Sequence, residues 1–224
     1  MSGVKIREYR DGDFSTVREI FSLGMSEHVP ASFVHFLKQP QCQMLLVCTF
    51  CALLASSKSF LLPVLAITLL LAIVRQLVVY NFNNYIEKCC STDLKNISET
   101  YMAARDACFW VAENEGRVVG MVACLPKDGV ADCLELKRLS VLRGHRGRGV
   151  AKKLCQVVTD FTRERGYAGV VLHTSMVQTD AQKLYVAMGF RKLREFPEGN
   201  LAAKLINFSL IEYRLDLHKD HAAE

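Results

Sequence analysis

Between Cys133 and Phe161 the chain reads as a strand, a turn dense in glycine and arginine, and then a helix, an order that leaves few folds open. The turn is Arg143-Gly144-His145-Arg146-Gly147-Arg148-Gly149. After it, Val150, Leu154, Val157, Val158 and Phe161 fall on one helical face, with Lys152, Lys153, Gln156, Asp160 and Arg163 on the other. Glycines let a backbone approach a ligand closely. The first N–H groups of the helix have no partner within it and lie at the positive end of its dipole. Turn and helix therefore make a seat for a phosphate or pyrophosphate. The turn is not a P-loop, because no Gly-Lys-Ser/Thr follows, and it meets the G-x-G-x-x-G dinucleotide pattern only in part. An RNA-binding arginine-glycine segment is the plainer alternative, but such segments are usually disordered, and here a well-patterned helix follows at once.

The strand before the turn changes parity. Leu134 and Leu136 occupy even positions, whereas Leu139 and Val141 occupy odd ones. Side chains in a strand alternate with period two, so a parity change means an inserted residue, a β-bulge near Arg138 to Ser140. Two short strands joined by a loop would give the same pattern.

At 224 residues the chain can hold one full domain and an accessory element. Half of it is hydrophobic, and the excess is concentrated between Met44 and Tyr80. Met44–Ala55 is almost wholly apolar, Ser56-Ser57-Lys58-Ser59 interrupts it, and Phe60–Val74 is apolar again up to Arg75. A bilayer core takes about 20 helical residues. The stretch is too long for one span and each arm is somewhat short, so a helical hairpin that enters and returns fits best. Pro63 lies in the first turns of the second arm, where a helix tolerates it. Core helices of a soluble protein would show a polar stripe, and these arms have none. If residues 1–27 complete a domain with the chain after residue 90, the hairpin crosses an even number of times. Asn83, Asn84 and Lys88 mark its expected exit to water. The polar first forty-odd residues carry no expectation of a signal peptide.

The nine cysteines lie in apolar runs, which favours a reducing compartment over a disulfide framework. Cys48-Thr49-Phe50-Cys51 lacks a second pair or a nearby histidine, so no metal is expected. The net charge of +5 clusters at the phosphate seat, which suits an anionic ligand or membrane surface rather than nucleic acid.

In order, Val4–Tyr9 reads as a strand and Asp13 as the N-cap of a helix over Phe14–Met25. Thr92-Asp93 is expected to cap a helix holding Leu94, Ile97, Tyr101 and Met102. Cys108–Ala112, a turn at Glu113–Gly116 and Arg117–Leu125 form a hairpin. Gly166 is the expected helix C-cap, Ala168–Leu172 a buried fifth strand ended by His173, and Gln178–Met188 a helix. Arg191–Phe196 and Leu205–Leu217 close the chain as a second hairpin.

Arg146-x-x-Gly149-x-Ala151 resembles the pyrophosphate-binding motif of the GNAT superfamily of acetyl-CoA-dependent N-acetyltransferases. Leu184-Tyr185-x-x-x-Gly189-Phe190 resembles a second signature of the same superfamily. The resemblance implies an α/β (α+β) fold: a mixed central sheet with a bulged fourth strand, flanking helices, and here an inserted hydrophobic hairpin. Residues 1–42 would supply the first strand and helix, 43–82 the membrane hairpin, and 83–224 the remainder of the domain. With Glu27-His28-x-Pro30-x-x-Phe33 ahead of the insertion, the chain is similar to the camello-type membrane-anchored N-acetyltransferases. That group includes cysteine S-conjugate, endoplasmic-reticulum lysine and, more distantly, aspartate N-acetyltransferases.

The resemblance implies acetyl-CoA as co-substrate, bound by Leu139, Ser140 and Val141 of the bulged strand and by Arg146, Gly147, Arg148, Gly149, Val150 and Ala151. Arg143, His145, Lys152 and Lys153 either meet the 3′-phosphate or are solvated charges. Tyr185 is expected to protonate the departing thiolate, since a phenol is mostly protonated at neutral pH. Glu135 is expected as the base, through water, or else as a surface glutamate paired with Lys137. The Val141 N–H would face the thioester carbonyl. His173 and Gln178 are candidate substrate contacts, and His173 an alternative base. The expected enzyme sits at the endoplasmic-reticulum membrane with its catalytic domain cytosolic, acetylating an amphipathic amine such as a cysteine S-conjugate. A protein lysine, aspartate, or a non-catalytic acyl-CoA-binding scaffold are the alternatives. Asn96-Ile97-Ser98 and Asn207-Phe208-Ser209 are formal glycosylation sequons, the second in an expected strand.

Overall fold

A computed structural model describes residues 3–127, 129–130, 132–197 and 207–217. Seven strands form one mixed sheet: β1 (Lys5–Glu8), β2 (Cys108–Asn114), β3 (Arg117–Pro126), β4 (Cys133–Val141), β5 (Gly169–Ser175), β6 (Arg191–Pro197) and β7 (Ser209–Asp216). Their order across the sheet is β1-β2-β3-β4-β5-β7-β6, and only β4 and β5 run parallel. Four helices separate β1 from β2: α1 (Phe14–Ser26), α2 (Val29–Leu37), α3 (Pro40–Ser57) and α4 (Leu61–Ser91). Two more follow the bulged strand and β5: α5 (Val150–Glu164) and α6 (Thr179–Ala187).

Both faces of the sheet are covered, which is why β2 is buried almost throughout. Trp110 and Ala112 face α5 with Leu154 and Val158, and the Trp110 and Phe161 rings meet edge-on at 5.2 Å. Phe109 and Val111 face the opposite way, against Val17, Ile20 and Phe21 of α1 and Leu94, Ile97 and Tyr101 beyond α4. The β2–β3 turn has Glu115 and Gly116 at φ +52° and +75°, the left-handed pair that a two-residue hairpin loop demands. Helix α5 ends as expected. Gly166 is left-handed, its N–H reaches the Arg163 carbonyl, and the Tyr167 N–H reaches Thr162.

Several expectations are corrected. The Asp13 side chain does not cap α1; it takes two bonds from Arg7, at 2.7 and 2.9 Å, because a buried carboxylate gains more from a guanidinium. Asp93 likewise caps no helix. It pairs with Arg138, and Ser98–Met102 forms a single π-helical turn. Helix α2 went unforeseen. Helix α4 continues past the expected exit at Asn83, Asn84 and Lys88 and runs unbroken to Ser91. Strand β5 continues past His173 to Ser175. Asn207 lies in a turn before β7 rather than within a strand, and the first residues expected for that strand, 205 and 206, lie outside the described residues.

Helices α3 and α4 form an antiparallel hairpin reversed at Lys58, whose φ is +51°. Both are long and apolar enough to cross a membrane, and almost none of the residues in their apolar windows is buried. They are therefore not core helices of this chain.

Candidate functional site

The glycine-rich turn is a short 3₁₀ segment (Arg143–His145) that runs into Gly147 and Gly149 at φ +74° and +78°. Nothing lies within 4 Å of where a Cβ would stand at either glycine, so the turn faces open space. The first backbone bond of α5 runs from the Lys153 N–H to the Gly149 carbonyl. The N–H groups of Val150, Ala151 and Lys152 are thus left without acceptors inside the helix. With Arg148, Lys152 and Lys153 exposed around them, these amides fit a diphosphate. The Arg146 side chain is committed elsewhere: Nε donates to the Val141 carbonyl at 2.8 Å and Nη1 to Glu27 Oε2 at 2.6 Å. It braces the turn against the end of β4 and the α1–α2 junction.

The bulge lies where the parity change places it. Met121 pairs with Ser140 and Ala123 with Lys137, so Arg138 and Leu139 both stand opposite Val122. Arg138 takes φ +58° to make the extra step. Strand β4 then leaves β5, since their pairing covers only Cys133–Leu136 against Gly169–Leu172. The Leu142 N–H donates to Val119. By the alternation of an antiparallel ladder, the Val141 N–H therefore points to the side β5 has vacated.

The gap opens into a cavity of about 330 Å³. Leu136–Ser140 form one wall, His173–Ser175 and Gln178 another, and Tyr185 of α6 a third. Tyr185 is 5 % exposed, packed against Phe190 and Tyr213, and burial raises its pKa, which keeps the phenol protonated. The remaining wall comes from Phe21, Met25 and Phe208, with Asn81, Phe82 and Tyr85 of α4.

Glu135 does not line this cavity. It lies where β4 and β5 are still paired, opposite Val171, one residue before their pairing ends at Leu136. His173, which does reach the cavity, brings Nδ1 to 2.8 Å from Glu135 Oε1. Lys127 Nζ is 3.0 Å from His173 Nε2 and 2.9 Å from Glu212 Oε1, and Arg194 pairs with the other Glu212 oxygen. Lys137 also approaches Glu135, at 3.5 Å. Burial pushes the Glu135 carboxyl up, but the His173 bond and the two lysine charges outweigh it and hold its pKa below the ordinary value. Gln178 also faces the cavity. Its Oε1 accepts from the Ser175 N–H and the Thr174 hydroxyl, and its Nε2 meets His28 Nε2 at 3.1 Å.

Sequence reasoning missed the α4 residues, Lys127 and Glu212. The one local signal was Glu212 itself, an acid inside the apolar run Leu210-Ile211-x-Tyr213. Among the described residues, no group of three or more His, Cys, Asp or Glu side chains gathers as a metal site would require.

A bulged strand parted from its parallel neighbour, beside a glycine turn at a helix N-terminus, defines an acyl-CoA-dependent acetyltransferase fold. The Acetyltransferase (GNAT) family pattern matches residues 76–190, and the chain belongs to this family. It is 40% identical over 216 residues to N-acetyltransferase 8 of Rattus norvegicus, covering 95% of this chain and 97% of the relative. It is 42% identical over 194 residues to N-acetyltransferase 8F1 of Mus musculus (85% and 87% covered). Identity to the protein named "Probable N-acetyltransferase camello" of Xenopus laevis is 35% over 217 residues (97% and 99%). Among solved structures, a GNAT-family acetyltransferase of Staphylococcus aureus Mu50 shares the fold, with a TM-score of 0.58, 20% identity, and 96% of this chain and 100% of that one covered. The yncA protein of Salmonella typhimurium, solved with its cofactor acetyl-CoA, aligns with a TM-score of 0.52 at 15% identity over 100% and 99% of the two chains. The chain is an N-acetyltransferase that uses acetyl-CoA.

Proposed function

We propose that this N-acetyltransferase is held at the endoplasmic-reticulum membrane by the α3–α4 hairpin, with its catalytic domain cytosolic, and acetylates a small amphipathic amine such as a cysteine S-conjugate. The observation that carries the acceptor assignment is the cavity itself. It joins the parted strands and Tyr185 to an aromatic wall drawn partly from α4, the helix that emerges from the apolar hairpin. One end of the cavity suits a polar amine and the other an apolar substituent. The pairing of β1 with β2 supports an even number of crossings, because both ends of the hairpin return to one domain. Nine free thiols support a reducing compartment.

Acetyl-CoA, when bound, supplies an acyl group already activated as a thioester. The amides of Val150, Ala151 and Lys152, with the Gly147–Gly149 backbone, hold its diphosphate, and Arg148 contributes its backbone N–H. Leu139 and Ser140 offer the backbone freed by the bulge to the pantetheine arm. The Val141 N–H donates to the carbonyl oxygen as negative charge gathers there. His173 Nε2 accepts the proton the amine must lose, while Lys127 turns fully onto Glu212. Glu135, held ionised, keeps the imidazole oriented through Nδ1. The Tyr185 phenol returns a proton to the departing sulfur. Arg146 acts by bracing the turn, and Gln178 by fixing the wall formed by Thr174 and Ser175.

Purified protein assayed with acetyl-CoA and S-benzylcysteine, aspartate or a lysine peptide tests this reading. The highest kcat/KM is expected for S-benzylcysteine, and faster transfer to either rival refutes the acceptor assignment. A glycosidase-sensitive mobility shift at Asn96 or Asn207 in cell-expressed protein refutes the cytosolic placement.

A further inference from the structure

Arg138 is the residue that creates the bulge, yet its side chain serves the inserted helix. Its guanidinium donates to Asp93 from Nε and Nη2 at 2.8 and 2.6 Å, in the two-pronged geometry a carboxylate matches. Nη1 reaches Cys89 Sγ at 3.1 Å and the Tyr85 hydroxyl at 3.4 Å, both on α4. The guanidinium lies 5.0 Å from the centre of the Phe21 ring of α1. Asp93 is held in turn by the Tyr101 hydroxyl at 2.5 Å. The Arg138 side chain is only 9% exposed, so the pair is shielded from screening and breaking it leaves a buried charge unmatched.

Two separate requirements meet at this residue. A non-glycine residue at φ +58° is held in a costly backbone conformation, which persists only where its surroundings over-determine it. Helix α4, on its side, supplies Asn81, Phe82 and Tyr85 to the cavity and must be fixed in register with β4 to do so. Resting on the site described above, we propose that Arg138 is a positioning residue that latches the last turns of α4 to the bulge. The latch holds β4 parted from β5 and sets the acceptor wall. The inserted helix is then part of the acceptor site as well as an anchor.

The test uses the full chain and S-benzylcysteine, or whichever of the three amines above is turned over fastest, well below the melting temperature. Arg138→Gly keeps the positive φ without strain and removes the latch together with the side chain's share of the cavity wall, whereas Asp93 is not part of that wall. Asp93→Asn removes the charge partner at constant size. Each is expected to lower kcat/KM for the amine tenfold or more, while the acetyl-CoA Kd by calorimetry stays within twofold. The double variant is expected to fall no further than the worse single, since both break one interaction. Arg138→Lys, whose single ammonium cannot make two parallel bonds, should show the same split and serves where the glycine variant does not fold. Unchanged amine kinetics in Asp93→Asn, losses that add in the double variant, or equal losses in acetyl-CoA affinity would each overturn the latch. Wild-type turnover and its loss in Tyr185→Phe report on the site independently of this outcome.

Discussion

Helix α5 carries a matched pair of perturbations. Gly149 at its N-terminus and Gly166 just past its C-terminus have φ +78° and +79°, and a Cβ at either meets nothing within 4 Å. Alanine at each position therefore pays only the left-handed backbone strain, about 1–2 kcal/mol. For a chain of this length that corresponds to a melting shift of roughly 2–8 °C, the same for both variants. Their effects on acetyl-CoA should differ. At Gly149 the methyl group would stand where the diphosphate approaches the amides of Val150 and Ala151. Losing one charged hydrogen bond there costs roughly 1.5–3 kcal/mol. Calorimetry should then show acetyl-CoA bound about tenfold to a hundredfold more weakly by Gly149→Ala. Gly166→Ala should bind as the wild type does. Binding by Gly149→Ala within twofold of wild type would refute the placement of the seat, and an equal loss in Gly166→Ala would show that strain, not position, governs affinity.

Tyr185→Phe should lower kcat by about 10²–10⁴, the range of a lost general acid, with acetyl-CoA affinity unchanged; rapid-quench turnover checks it, and a normal kcat refutes the proton-donor role. Gly169→Ala would place a Cβ 2.7 Å from the Leu215 carbonyl oxygen, a backbone atom held in the sheet. It should cost about 1–3 kcal/mol in denaturant unfolding, whereas Gly24→Ala meets only the movable Ser140 hydroxyl at 3.1 Å and should cost less. Burial lowers the His28 pKa below its ordinary 6.5. The unfolded chain then binds more protons than the folded one, so this contribution is present above pH 6.5 and is lost as pH falls toward the folded value. The drop in melting temperature from pH 7 to 5 should be smaller in His28→Gln.

What the sequence disclosed, it disclosed through short-range regularities. The α5 face follows from spacings of three and four residues, and the bulge from a change of parity within nine residues, so both lie where the pattern puts them. The glycine turn and the open first turn of α5 were legible for the same reason, being built from consecutive residues. Asp13 and Asp93 show where local rules fail. A carboxylate before a helix reads as a cap, but the same oxygens bind a guanidinium more strongly, and Arg138 is 45 residues from Asp93. The His173 network is harder still. Lys127 and Glu212 are 85 residues apart and meet only because β7 inserts beside β5. Glu135 was legible only as a carboxylate in an apolar strand; the length over which β4 stays paired, which sets it behind His173, is a property of the sheet.

The insertion and the catalytic fold constrain one another through the length of α4. Its 31 residues extend about 46 Å. A hydrocarbon core takes about 30 Å of that, and the stretch from Leu61 to Tyr80, apolar apart from Thr68, Arg75 and Gln76, is just long enough to fill it, with Arg75 able to extend toward the headgroups. About three turns remain, Asn81 to Ser91, and these are the turns that pack on α1, face the cavity and meet Arg138. No flexible linker intervenes, because the helix crosses this boundary unbroken. In the proposed membrane placement the acceptor cavity therefore lies within a turn or two of the lipid boundary, at a height set by a rigid rod. An amine whose apolar part rests among the headgroups would meet Phe82 before it meets the thioester, and this ordering would favour amphipathic acceptors over fully water-soluble ones without any further contact in the site.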